Sequence, residues 1–360
     1  MKLPSSPRVL FVTPPPPGPY EYIFARFSDG FRRLGFPIRE LDPYATSGPC
    51  FRSTCEEFAP DVIFCALYRA ESIRLVAKLL AEYHPTVALN WFQEDPNCLC
   101  QQILEDSKYF DFWFTQDPKT VPFWKTKAFF SPHAFDESNY WDRRLPRVWD
   151  VSFVGGLGHA RSTAMYWPYM NVLSHHGKRA FISLERPIGI PLLPPLGERI
   201  IRSGRIRRLL QALPLWPCVW KNPRNETEKA EAISRSKIHF CLSRVVGNWE
   251  EGLKRLLPSY PLDEHGLFYQ CKGRLFHATG TNTLALVDYY PELGELFAPG
   301  KEIVTYRFND FSDLKEKIAW YLAHDHERLK IASAGYERAH KHHTFTARIQ
   351  QIMHTLRTQC

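Results

Sequence analysis

Short apolar runs recur along the first part of the chain, at Arg8–Thr13, Phe36–Leu41, Asp61–Ala66, Thr86–Trp91 and Asp111–Thr115. Runs this short and this continuously apolar read as strands buried on both faces. Between them, Tyr20–Leu34 and Glu71–Tyr83 carry apolar residues every three to four positions, which predicts amphipathic helices. Gly35 stops the first helix, and the wall Pro14–Pro17 with Gly18 ends the first strand. Strands alternating with helices predict a parallel sheet with both faces covered.

Residues 131–150 are polar, contain prolines and follow neither period, so they read as a linker. The alternation then restarts. Strands are predicted at Asp150–Val154, Arg179–Leu184, Lys237–Leu242 and Thr283–Val287. Helices are predicted at Ala160–His175, Lys272–Thr279, Phe311–Ala323, Glu327–His340 and Thr346–Leu356, with an irregular stretch over 244–270. The pattern implies an α/β fold of two tandem doubly wound, Rossmann-like domains facing each other across a cleft. Domain bounds follow at 1–145 and 146–340, with a terminal helix in 341–360 that returns to the first domain.

Composition sharpens this picture. The chain has 360 residues, 44% apolar and 14% aromatic, enough to bury two cores. Residues 1–150 hold 17 basic and 19 acidic side chains, whereas residues 151–360 hold 29 and 19, together with twelve of the fourteen histidines. Such an imbalance fits a second domain that handles an anion, or an ordinary solvated basic surface. Nine scattered cysteines, none spaced as a zinc knuckle, fit a reduced compartment. No stretch approaches the roughly 20 apolar residues of a membrane span, and the start lacks a signal core. A cytoplasmic protein is expected.

In open α/β sheets ligands gather beyond the carboxyl ends of strands. That rule selects Thr13–Gly18, Gln93–Asp95 and Gln116–Asp117 in the first domain, and Gly155–Arg161, Ser243–Arg244 and residues 272–283 in the second. Gly155-Gly-Leu-Gly158 lies between a strand and a helix, where glycines let backbone N–H groups approach a phosphate. It is an incomplete dinucleotide fingerprint, since Arg161 takes the third small position, and a plain tight turn explains it as well. The denser cluster is Lys272, Arg274 and His277 near a helix start, followed by Gly280, Thr281, Asn282 and Thr283. Cations for phosphate beside neutral donors for sugar hydroxyls are what a nucleotide diphosphate requires.

These residues carry a resemblance. Asp150-Val-Ser-Phe-Val-Gly155 followed by Arg161, Lys272-Gly-Arg-Leu-Phe276, Gly280, Tyr290–Phe297, Gly300–Ile303 with Tyr306, Ala332–Gly335, His343-Thr-Phe345 and Arg348 follow one another as in the CgeB-like (spore-maturation-protein-like) branch of the group 1 glycosyltransferases. The first half matches more loosely, through Asn90–Pro96, Phe114–Asp117 and Pro132–Asp136. The resemblance implies a GT-B fold and transfer of a sugar from a UDP- or GDP-linked donor, with retention and without a cofactor or bound metal. It implies donor contacts at Gly155, Gly156, Arg161, Lys272, Arg274 and Thr281–Thr283; Arg244, from the strand-end rule, and His277, whose imidazole can bond a hydroxyl, join them as candidates. The acceptor, a glycan, lipid-linked molecule or protein, would meet the first domain. Related chains carry a glutamate at the position of His277 and another at that of Tyr269, for which Glu264 is a substitute.

On the acceptor side, Glu94 and Asp95 follow the fourth strand, where a carboxylate orients a hydroxyl or takes its proton. Asp95-Pro96 is equally a turn and helix-start pair. The basic stretch Glu198–Arg224 reads as a core-facing amphipathic helix, and second as a peripheral membrane contact at the inner face of the membrane. The rival functions are a non-catalytic sugar-nucleotide binder and a nicotinamide oxidoreductase using Gly155–Gly158 with Glu185 on the ribose. Nucleic acid is not an expected partner, because the basic residues are dispersed and no motif accompanies them.

Overall fold

The structure is a computed structural model that describes residues 3–14, 21–93, 99–155, 168–173, 180–184, 218–219, 223, 225–245 and 254–359. Its chain contacts divide it into two units. Residues 1–134, 249–266 and 344–360 form one, and residues 135–248 and 267–343 form the other.

The first unit is built on strands β1 (Val9–Val12), β2 (Ile38–Leu41), β3 (Val62–Cys65), β4 (Val87–Phe92), β5 (Phe112–Thr115) and β6 (Lys127–Phe130), in the order β2-β1-β3-β4-β5-β6. All pairings are parallel. Every residue of β1, β3 and β5 is buried, as continuous apolar strands under two helical layers must be. Helix Gly48–Phe58 escaped the periodicity reading, because it is set by its ends rather than by a wide apolar stripe. The Ser47 hydroxyl caps Cys50 N–H, and Ala59 closes the helix in the left-handed region at φ 46°.

The C-terminal helix Phe345–Gln359 belongs to this first unit. Phe345 packs edge-on against Phe27 at 4.9 Å, and Arg348 donates to the carbonyl of His133. The segment 249–266, read as irregular from sequence, also joins the first unit. Its Tyr260 is buried and donates its hydroxyl hydrogen to Asp117, 2.5 Å away, while the Lys119 ammonium lies over the ring.

The second unit holds β7 (Trp149–Gly155), β8 (Ala180–Leu184), β9 (Cys218–Val219), β10 (Ser236–Cys241), β13 (Leu284–Asp288) and β14 (Val304–Tyr306), in the order β14-β13-β10-β7-β8-β9. These pairings too are parallel. A short antiparallel ribbon, β11 (Arg244–Val245) with β12 (Phe268–Tyr269), stands apart from the sheet. Each unit is thus a Rossmann-like half, as the alternation predicted.

The boundary was expected near residue 145. The second unit begins at Phe135, whose N–H donates to the carbonyl of His343 and whose ring meets His340 at 5.1 Å. Residues 136–142 lack a period because side chains order them. Asp136 accepts from Ser138 and Asn139, and Tyr140 is buried. The predicted helix Ala160–His175 is described only over 168–173, and the basic stretch 198–224 lies outside the described residues except at 218–219 and 223. Among the described residues no helix is long and apolar enough to cross a membrane.

Candidate functional site

In the second sheet, β8 and β9 lie on one side of β7, while β10, β13 and β14 lie on the other. The chain therefore reverses its winding between β7 and β10, and the crevice of a doubly wound sheet opens there, beyond the carboxyl ends. Gly155 ends β7, and Leu242, Ser243 and Arg244 follow β10. The strand-end rule pointed to these positions, and the structure brings another cation to them.

That cation is Arg274, in the first turn of the helix Gly273–Gly280. Its guanidinium lies over the ring of Phe153 at 4.8 Å and donates to the carbonyl of Leu242 at 3.2 Å. It also lies against the backbone of Gly155: a Cβ built on that glycine would sit 2.3 Å from Nε. Only glycine leaves room for the guanidinium to bridge the ends of β7 and β10. Lys272, at the N-cap position of the same helix, donates to the side-chain oxygen of Gln270, whose N–H donates to the carbonyl of Ser243. Gly155, Lys272 and Arg274 therefore converge on one edge, where the open N–H groups of the helix start add positive potential.

Arg244 reaches the same edge but is committed elsewhere. Its guanidinium donates to Asp288 at 2.9 Å and to the carbonyl of Tyr289, and it lies over the ring of Phe308 at 4.9 Å. The two side chains are 4% and 0% exposed, so this is a buried ion pair. Burial pushes the Asp288 carboxyl above the usual range, against the pull of Arg244 and of the Ser243 N–H.

His277, one turn beyond Arg274, is buried and stacked face to face with Tyr140 at 4.1 Å, and the Tyr140 hydroxyl donates to Glu226. Tyr269 donates to Glu292 and stacks on Tyr290. Glu264, the expected substitute for a glutamate there, is 72% exposed and belongs to the first unit.

Thr281, Asn282 and Thr283 lie away from this cluster. A helix that starts at the carboxyl edge of a parallel sheet runs back to the amino edge, and these residues sit at its far end, before β13. There the Thr281 hydroxyl donates to the carbonyl of His277, and Asn282 takes φ 56° and donates to Asp142. Arg147 ties the junction, donating to the carbonyl of Asn282, the hydroxyl of Thr283 and the carbonyl of Ser236. Gly156, Arg161, Glu94 and Asp95 lie outside the described residues, as does Glu185. Among the described residues no three His, Cys, Asp or Glu side chains converge as a metal site.

The first sheet presents its own carboxyl edge. Gln93 and Gln116, both buried, follow β4 and β5, and Asp117 accepts from Lys119 N–H as well as from Tyr260.

The chain has the GT-B glycosyltransferase fold. With 10% identity and a TM-score of 0.64, it superposes on sucrose-phosphate synthase from Thermosynechococcus elongatus over 98% of each chain. With 12% identity and a TM-score of 0.61, it superposes on Alr3699/HepE of Anabaena, solved with UDP and glucose, over 98% of this chain and 100% of that one. A point mutant of TarM from S. aureus, solved with fondaparinux, alpha-GlcNAc-glycerol and UDP, is also similar. It has 8% identity and a TM-score of 0.55, over 85% of this chain and 58% of that one. Residues 201–354 match the model of a glycosyl transferase-like family. No curated protein matches the chain.

Within this GT-B fold, sequence reasoning missed Asp288, Arg147 and Tyr140. Asp288 had a usable signal, an acid closing the apolar run Leu284–Val287. Arg147 and Tyr140 had none, since both lie in the aperiodic segment and find their partners far along the chain.

Proposed function

We propose that the chain is a group 1 glycosyltransferase of the CgeB-like branch that moves a sugar from a nucleotide-diphosphate donor to an acceptor hydroxyl. The observation that carries this reading is the Arg274 guanidinium, held across the ends of β7 and β10 at the winding reversal by the missing side chain of Gly155. Arg274 and Lys272, with Gly156 and Arg161, hold the diphosphate and stabilise the charge that grows on it as the bond from the anomeric carbon breaks. The acceptor oxygen forms the new bond with retention, and the leaving diphosphate departs without a metal. Asp95, with Glu94, orients the acceptor hydroxyl or takes its proton. The family match over 201–354 and the UDP bound to the similar Anabaena protein support this reading.

Titration with UDP, GDP and their sugars by calorimetry tests it. Arg274→Ala and Lys272→Ala are each expected to weaken the preferred nucleotide by about tenfold or more, the loss of one charge-assisted contact. Gly155→Ala should act like Arg274→Ala, because the new methyl displaces the guanidinium without removing it. Unchanged affinity in all three variants would remove this edge from the donor site.

Asp95→Asn separates a chemical role from a helix cap. Asparagine caps nearly as well as aspartate, so a capping role leaves both stability and rate intact. A reacting carboxylate predicts unchanged donor affinity and a transfer rate lower by about 10²-fold.

A second reading is a non-catalytic sugar-nucleotide binder. It is favoured by His277, which stands where related chains carry a glutamate and is closed in under Tyr140. Binding of the donor sugar without release of free nucleotide would establish it.

A further inference from the structure

Gln93 follows β4 directly, at the carboxyl edge of the first sheet. It is 2% exposed, and neither its Oε1 nor its Nε2 meets a hydrogen-bond partner. Among the described residues it is the one buried side chain left without partners at two polar atoms. Asn90, three residues earlier, is what a structural amide looks like here. It accepts from Leu67 N–H at 3.0 Å and donates to the Leu67 carbonyl at 3.2 Å. Burying an amide without such bonds is unfavourable, so an orphaned amide at a strand's carboxyl end points to a partner from outside the chain.

The chemistry of that partner follows from the amide. Its carbonyl accepts and its NH₂ donates, and a sugar hydroxyl, which both donates and accepts, complements the two. A carboxylate would leave the Gln93 carbonyl opposed, a cation would leave its NH₂ opposed, and an apolar group would satisfy neither. The register continues the theme: Phe92 lies opposite Thr115, so Gln93 and the buried Gln116 are the next residues at one edge.

We infer that Gln93 lines a carbohydrate subsite in the first unit, exchanging hydrogen bonds with hydroxyls of a sugar-bearing acceptor. Its role as an acceptor site rests on the glycosyltransferase reading, whereas the binding of carbohydrate does not.

The test uses the full chain with methyl glycosides of glucose, galactose and N-acetylglucosamine, followed by saturation-transfer NMR, with UDP and GDP titrated separately. Wild type is expected to bind at least one glycoside. Gln93→Met, of similar length but without the amide, should bind it about tenfold more weakly or worse. It should keep its nucleotide affinity and an equal or higher Tm, because an orphaned amide has been removed. Gln93→Leu, which is apolar and adds no buried charge, should weaken the same glycoside and serves if the methionine variant does not fold. Wild type that binds no glycoside, or variants that bind as tightly as wild type, would overturn the inference. A lower Tm with unchanged glycoside affinity would make Gln93 a structural residue and overturn it as well. Glycoside binding without any nucleotide binding would sink the transferase reading and leave the subsite standing.

Discussion

Arg244→Met is expected to destabilise the protein by about 3–5 kcal/mol, because it strands the fully buried Asp288 carboxylate without its counter-charge. Removing one member of a buried pair costs far more than removing both. The double variant Arg244→Met with Asp288→Asn should therefore regain most of the loss. The asparagine oxygen still accepts from the Ser243 N–H, which Asp288 now serves at 2.6 Å, and no net charge remains buried. Urea unfolding of the wild type, both single variants and the double variant reads the coupling directly. The same set decides whether Arg244 also touches the donor, as its place after a strand suggested. A single variant that keeps wild-type stability but loses nucleotide affinity would return Arg244 to the donor site and refute the structural role.

The second large effect is a pH dependence centred on one histidine. His239 is fully buried in β10, with Nδ1 2.8 Å from the Ser152 hydroxyl on β7. Burial, reinforced by the positive charges of Arg274 and Lys229, drives its pKa from 6.5 down to about 3. The folded state thus resists a proton that the unfolded chain takes up near pH 6.5. Stability from this group is complete above that pH and is lost as pH falls toward 3, by up to about 1.4 kcal/mol per unit. Between about pH 7.5 and about pH 5 the loss amounts to about 2 kcal/mol. His239→Leu cannot take up that proton. Its unfolding free energy should therefore fall about 2 kcal/mol less than that of the wild type over the same range. Equal losses in the two proteins would mean that His239 titrates normally in the folded state. The comparison cancels every contribution that the two proteins share.

The arrangement of Arg274 links these effects to the site. It adds to the positive potential that keeps His239 neutral, and it spans the strand ends where the diphosphate is proposed to sit. Ligand charge at that edge should reduce the potential felt at His239.

What the sequence determined by itself was the part carried by local pattern. Continuous apolar runs as short as Val62–Cys65 read as strands covered on both faces, and their alternation with helices led to two parallel sheets. Gly155, Lys272 and Arg274 were legible because a strand end and a helix start are local features. The shortest elements were not: β14 has three residues and β9 two, too few for any period to register. Tertiary structure alone decided the partners. Arg244 was placed among the donor contacts by its strand-end position, and it pairs with Asp288, 44 positions away. Segment 249–266 looked like a loop of the second domain and packs in the first, through Tyr260 on Asp117. Thr281–Thr283 were grouped with Arg274 because they are near in sequence, yet a helix that crosses the sheet carries them to its opposite edge. Periodicity reports which face of an element is buried. Which side chain meets which across a hundred residues depends on chain reversals that leave no local trace.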